Sequence, residues 1–170
     1  IAYGLQTSIK QSEEIKHKFG SAKSELTDES SEINVIGVAN RDSKIISEKK
    51  LSKIIEPRIK EIFDLVNLEI SKTNINSKDL TFGIVLTGGG SKLKNIFDLA
   101  SEVFDFPVRL GFPANFNSIN NEIKNPRYST SVGLINYGIE YFNSYPNGGN
   151  HHRKIEIIAN IKKFMHYLIN

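Results

Sequence analysis

Residues 82–100 read FGIVLTGGGSKLKNIFDLA, and the rest of the 170-residue chain is organised around them. Phe82, Ile84, Val85 and Leu86 form an apolar run with the length and β-branched content of a buried strand. The run stops at Thr87 and three consecutive glycines, Gly88, Gly89 and Gly90. Ser91 then offers a helix N-cap, and Leu93, Ile96, Phe97 and Ala100 fall on one helical face. A strand, a glycine turn and a helix in that order bring backbone N–H groups and a positive helix end close to a ligand. The missing Cβ atoms let that ligand approach the main chain. The stretch has neither the Gly-Lys-Ser/Thr ending of a P-loop nor the Gly-x-Gly-x-x-Gly of a dinucleotide fold. By itself it fits a tight strand–helix turn without a ligand equally well.

Downstream, Val103, Phe104 and Phe106 lead into a short strand over 107–110, followed by Gly111–Pro113 and a polar loop through Asn125. Ser129 caps a helix over 131–138, where Gly133 and Gly138 permit close packing. Upstream, the polar run Thr73–Asp79 returns the chain from a long helix that Ser47 caps and that runs from Glu48 to about Lys72. Leu51, Ile54, Ile55, Ile59, Ile62, Phe63, Val66 and Ile70 recur at helical spacing, and Pro57 predicts a kink or break near Glu56. Ile33–Val38 and Lys44–Ile46 flank Ala39–Asp42 as a hairpin, and residues 21–32 are a polar connector. Residues 1–20 read as helix, break, helix, with Ser12 as a cap and Gly20 at the C′ position. Glu13 and Lys16, three apart on one face, suit contacts to a nucleoside's hydroxyls and ring nitrogens; they suit a surface ion pair as well.

Composition bounds the function. Hydrophobic content of 39% and charged content of 24% are those of an ordinary globular protein. The net charge of +3 is small and its basic residues are spread out, which disfavours nucleic acid as a partner. With no cysteine, disulfides and thiolate metal sites are excluded. No apolar run is long enough to span a bilayer. The first residue is Ile1 rather than Met, which reads as the carboxy-terminal part of a longer chain. His151 and His152 are adjacent and lack a companion carboxylate cluster, so no metal site is expected there.

Residues 144–154 are a linker by composition, and 155–170 (IEIIANIKKFMHYLIN) carry a separate signal. Ile157, Ile158, Ile161, Phe164, Met165 and Leu168 gather on one side of a helical wheel, with Lys162 and Lys163 on the other. A basic amphipathic helix behind a linker suits an interfacial membrane anchor on an anionic surface; the alternative is a helix that docks on protein.

Five stretches in order resemble one family. They are residues 13–20 (EEIKHKFG), 54–70 (IIEPRIKEIFDLVNLEI), 84–90 (IVLTGGG), 104–111 (FDFPVRLG) and 128–138 (YSTSVGLINYG). Together they resemble the C-terminal half of FtsA, the bacterial actin-like cell-division family, and the likeness spans residues 1–143. The resemblance implies an α/β fold, ribonuclease H-like and of the actin/Hsp70/sugar-kinase superfamily, present here in part and followed by the amphipathic helix. Residues 1–20 and 80–143 would form subdomain IIA, and 21–79 subdomain IIB, a small sheet with the long helix.

The same resemblance implies that Gly88, Gly89 and Gly90 lie beside the sugar, base and α-phosphate of ATP bound with Mg²⁺, with Glu13 and Lys16 contacting adenosine from the other side. It implies the C-terminal tail peptide of the tubulin-like protein FtsZ as a partner on IIB, for which Arg41, Arg58, Lys60 and Glu61 are the candidate contacts. Further implied partners are the protein itself, as an actin-like filament, other division proteins, and the inner face of the cytoplasmic membrane at the division site. The phosphate loops and the metal-site carboxylate would lie outside this chain, so the longer protein is expected to be a weak ATPase and this part alone inactive. The competing expectation is a different actin-like ATPase or scaffold, of pilus-assembly or Hsp70/sugar-kinase type, with a protein-docking tail.

Overall fold

The computed structural model describes residues 1–38, 41–73, 82–113 and 121–144. In chain order the elements are helices α1 (Ala2–Leu5) and α2 (Ile9–Phe19), strands β1 (Ile33–Val35) and β2 (Lys44–Ile46), and helix α3 (Glu48–Lys72). Strand β3 (Ile84–Leu86), helix α4 (Ile96–Phe104), strand β4 (Val108–Leu110) and helix α5 (Ser129–Ser144) follow. The chain divides into two compact units, one of Ile1–Leu86 with Gly90–Leu110, the other of Thr87–Gly89 with Gly111–Asn170.

In the first unit α3 connects two apolar cores. Leu51 and Ile55 pack with Leu5, Ile15, Ile33, Val35 and Ile46, whereas Phe63 packs with Ala22, Ile96, Leu99, Ala100 and Phe104. Ile59 touches both, so Leu51, Ile55, Ile59 and Phe63, each four residues after the last, form a single ridge along the helix. Ser47 caps α3 as expected, its side chain accepting from the Lys50 N–H at 3.2 Å. Pro57 does not break it: the helix runs unbroken for 25 residues, about 37 Å. Packing on both sides of the proline outweighs the one ladder bond lost there.

β1 and β2 pair antiparallel with Ile33 opposite Ile46, and the alternation along β1 buries Ile33 and Val35 while exposing Asn34. β1 stops at Val35, three residues short of the expected Val38. Beyond it the Ile36 carbonyl accepts from the Thr7 hydroxyl at 2.7 Å, and the Val38 N–H donates to Gln6. Of the expected turn, Ala39 and Asn40 lie outside the described residues.

β3 and β4 pair parallel, Ile84 beside Val108 and Leu86 beside Leu110, joined by α4. Ile84, Leu86 and Val108 cover the second core. Val85 stays 43% exposed, and Ile84 and Leu86 are half-buried, so the strand expected to be buried is only partly covered, on one face. It begins at Ile84 and not Phe82, because Gly83 takes a positive φ of 73° and turns the chain into the pair.

Three local expectations are corrected. The cap of α2 is Ser8, which accepts from the Gln11 N–H, and Ser12 sits inside the helix with its hydroxyl bonded to the Ile9 carbonyl. Gly20 has an ordinary φ of −67°. Its glycine is needed for close approach, since a Cβ would run into the Lys16 carbonyl and stand 3.0 Å from Leu93 Cδ1. Ser91 is not the cap of α4: it is buried within a 3₁₀ turn, Gly89–Lys92, and α4 begins only at Ile96. The reason is tertiary. Ser21 and Lys94 form a parallel bridge, and the Ala22 N–H donates to the Lys94 carbonyl at 2.8 Å, which keeps that segment extended until Asn95, at φ 56°, turns it into the helix.

In the second unit Asn125 accepts from the Arg127 N–H and opens a 3₁₀ turn, Pro126–Tyr128, that runs directly into α5. Val132 is the buried anchor of α5, while Leu134, Tyr137 and Tyr141 form an exposed stripe. α5 begins at Ser129 itself and continues to Ser144, past the expected end and into the first residue of the expected linker.

Candidate functional site

The glycine turn is held open by hydrogen bonds at its start. The Thr87 hydroxyl donates to the Gly111 carbonyl at 3.0 Å and lies 2.6 Å from the Ser129 hydroxyl, while the Gly88 N–H donates to the Pro126 carbonyl at 3.1 Å. Gly88 takes a φ of 84° that favours glycine, whereas Gly89 and Gly90 do not. No described atom lies within 4 Å of where a Cβ would stand at any of the three. Two of the glycines are therefore required neither by backbone strain nor by crowding among the described residues. A ligand resting on the main chain supplies a reason for them.

Glu13 and Lys16 lie on α2 and meet each other: the Lys16 ammonium is 2.5 Å from Glu13 Oε1, and His17 Nε2 is 3.2 Å from the same oxygen. Lys16, foremost, holds the Glu13 carboxyl below the usual carboxylate range. Both partners are solvent-exposed, so the pair contributes little to stability and is available for exchange with a ligand. Glu13 and His17 line a groove of about 960 Å³ between α2 and the Glu32–Asn34 segment. None of the three glycines lines it. What the fold does bring together is the end of α2 and the residues that follow Gly90, through Gly20 against Leu93 and Ser21 beside Lys94.

Arg58, Lys60 and Glu61 are exposed on α3. Arg58 and Glu61 pair at 2.6 Å on one side of the helix. Lys60 stands elsewhere on its circumference, near Glu102 of α4; Lys23 first, and Lys60 more weakly, hold that carboxyl below its usual range. The Lys23–Glu102 bond of 2.7 Å also raises the Lys23 ammonium above its ordinary value. Arg41 is exposed, its N–H bonded to the Val38 carbonyl. The proposed membrane contacts, Ile157, Ile158, Ile161, Lys162, Lys163, Phe164, Met165 and Leu168, lie outside the described residues, as do His151 and His152. Among the described residues no helix is long and apolar enough to cross a membrane, and no three His, Cys, Asp or Glu stand together as a metal site.

Several residues that shape the site carry weak sequence signals. Thr87 and Ser129 fix the glycine turn, yet the sequence reads Ser129 only as a helix cap, a role it does not fill, since it is helical at φ −55° and is the first residue of α5. His17, four residues after Glu13, is a contact that helical spacing could have disclosed. Asn95 and Ser21 meet only because the chain folds back on itself.

Among solved structures, MreB5 of Spiroplasma citri bound to ADP superposes with a TM-score of 0.61 at 20% identity, covering 87% of this chain and 43% of that one. The same protein bound to AMPPNP gives 0.61 at 19% identity, covering 88% and 43%. The mixed α/β arrangement is thus part of an actin-like fold. The FtsA family model, described as cell division protein FtsA, matches residues 1–133. FtsA of Pseudomonas aeruginosa is 38% identical over 140 residues, covering 82% of this chain and 33% of its own. FtsA of Escherichia coli K12 is 34% identical over 146 residues, covering 82% and 35%, and that of Borreliella burgdorferi 37% over 126, covering 74% and 30%. This chain belongs to the FtsA family of cell-division proteins, and it spans about a third of the length of the curated relatives it matches.

Proposed function

We propose that this chain is the carboxy-terminal part of an actin-like division protein that binds ATP, self-assembles, and tethers FtsZ filaments to the inner face of the cytoplasmic membrane at the septum. The observation that carries the reading is the continuity of the family match, which runs through α2, α3, the glycine turn and the start of α5. In this reading residues 1–20 and 80–143 are subdomain IIA, 21–79 are subdomain IIB, and 155–170 follow the 144–154 linker as the membrane-binding helix.

The open main chain at Gly88, Gly89 and Gly90 fits the adenosine side of a nucleotide, with Glu13 and Lys16 as further contacts. The Mg²⁺ that accompanies ATP would neutralise phosphate charge. By resemblance to the family, the carboxylate beside it would come from the rest of the longer protein. Gly89→Ala and Gly90→Ala are expected to change stability by no more than about 0.5 kcal/mol while weakening ATP binding by the full-length protein about tenfold or more. Unchanged affinity, measured by isothermal titration, would remove the glycine turn from the nucleotide site.

Arg58, Lys60, Glu61 and Arg41 are the contacts proposed for the FtsZ tail peptide, and the basic amphipathic tail is the contact for anionic lipid. A single such helix binds membrane marginally, so filament formation multiplies the attachment. Other division proteins would join on the assembled filament. The test is recruitment of a fluorescent FtsZ tail peptide to vesicles by the full-length protein. Recruitment is expected on anionic vesicles, less on neutral ones, and none with a chain truncated after Asn150. Arg58→Glu is expected to lower peptide affinity at least about fivefold without changing vesicle binding. Vesicle binding that survives truncation would refute the anchor, and peptide binding indifferent to Arg58→Glu would refute that contact.

A further inference from the structure

We propose that Glu56 is a positioning residue that couples the glycine turn to the partner face of α3, a coupling that rests on the reading above for what binds at each end. The groups concerned form an unbroken series. The Leu93 N–H donates to the Gly90 carbonyl at 3.1 Å, and the Leu93 side chain lies over Gly20. The Ala22 N–H donates to the Lys94 carbonyl at 2.8 Å, and Asn95 Nδ2 donates to Ser21 Oγ at 3.0 Å. Ser21 Oγ in turn accepts from the Lys23 N–H and donates to the Lys23 carbonyl. One residue further, the Ser24 N–H donates to Glu56 Oε2 of α3 at 2.9 Å. Ser21, Ala22 and Ser24 are buried, so movement on the Leu93–Asn95 side is transmitted and not absorbed by solvent.

Glu56 occupies the one place on α3 where such a bond has leverage. The next residue, Pro57, has no N–H, so the helix lacks a ladder bond to the Lys53 carbonyl there. The turn that carries Arg58, Lys60 and Glu61 begins at this weak point, and a charge-assisted bond from the connector steadies it. The two-state element is this bond, closed or open. At 2.9 Å the bond lies within the normal range of about 2.7–3.2 Å, and at about 3.6 Å, or with a badly bent angle, it is no longer a bond. A shift of under about 1 Å relayed from Leu93–Asn95 on occupation of the main chain at Gly90 is therefore enough to open it. By linkage, a peptide bound on α3 alters nucleotide affinity by the same factor that nucleotide alters peptide affinity.

The test measures coupling in the full-length protein, using the FtsZ tail peptide and AMPPNP as probes. Peptide affinity is expected to change about fivefold or more between the nucleotide-free and AMPPNP-bound wild type. In Glu56→Ala that ratio falls to about one, with each ligand's separate affinity within about twofold of wild type; Glu56→Gln, which keeps the acceptor oxygen, retains part of the ratio. A Glu56→Ala protein with wild-type coupling, or a wild type with none, overturns the proposal. If either probe fails to bind the wild type at all, the functional reading falls, and hydrogen exchange decides the structural link alone. Asn95→Ala is then expected to speed exchange at the Ser24 amide and at 58–61 of α3 while leaving 66–72 unchanged. No change at Ser24 and 58–61 overturns the link.

Discussion

Phe104→Ala is expected to cost about 3–5 kcal/mol of unfolding free energy. Phe104 is 4% exposed at the end of α4, and its ring centroid lies 5.3 Å from that of Phe63 on α3 at a tilt of 50°. Tilted pairs of this kind add to the area that each ring buries. The substitution also opens a void beside Leu99 and Ala100, which cannot close because the α3 ridge is held at its other end by Leu51 and Ile55. Against a typical stability of about 5–15 kcal/mol the loss is large. A urea titration of the full-length protein measures it, with Leu134→Ala, at a position 66% exposed on α5, as the control expected to change little. A loss under about 1 kcal/mol would mean that α3 and α4 are not packed through these rings.

The second large effect is expected from Gly83→Ala. Gly83 combines a positive φ of 73° with a site where a Cβ would collide with the Pro107 carbonyl oxygen. That carbonyl accepts the Ile84 N–H at 2.8 Å, a bond at the very start of the β3–β4 pair. An alanine must therefore bear left-handed strain, of about 1–2 kcal/mol, and also displace the acceptor. A total of at least about 2 kcal/mol is expected. Gly88→Ala is the comparison: its φ is 84°, but no described atom stands within 4 Å of the added methyl, so strain is the cost that remains. Equal losses for the two variants, in the same denaturation assay, would contradict the collision.

What the sequence made legible follows local chemistry. The α3 stripe, its Ser47 cap, the hairpin of β1 with β2 and the strand–glycine–helix order all obey rules that act over a few residues. The misses fall where distant residues decide. Ser91 has the side chain of a cap, yet pairing of Lys94 with Ser21 delays the helix to Ile96. Gly20 reads as a left-handed terminator, yet its glycine answers to Leu93 and the Lys16 carbonyl. Pro57 predicts a kink or a break, and of the two the break does not occur, because packing on both flanks carries the helix through. Of the candidate site, the glycines and the Glu13–Lys16 pair were visible as residue types at suitable spacing. The Thr87–Ser129 bond and the Ser24–Glu56 bond were not, because each joins residues far apart in the chain.

The bridge between Ser21 and Lys94 gives the chain a particular evolvability. The excursion from Ala22 to Leu93 is closed at this bridge, with further ties to the parent body where Thr7 and Gln6 bond Ile36 and Val38 and where α3 packs on α4. The entropy of closing such an excursion rises only with the logarithm of its length, about 0.6 kcal/mol for each doubling. A lineage can thus lengthen or trim the turn between β1 and β2 at little thermodynamic penalty to the parent body, provided that these ties hold and that Ser21, Lys94 and Asn95 still meet. The fold separates what must stay constant from what can be remodelled for a new partner.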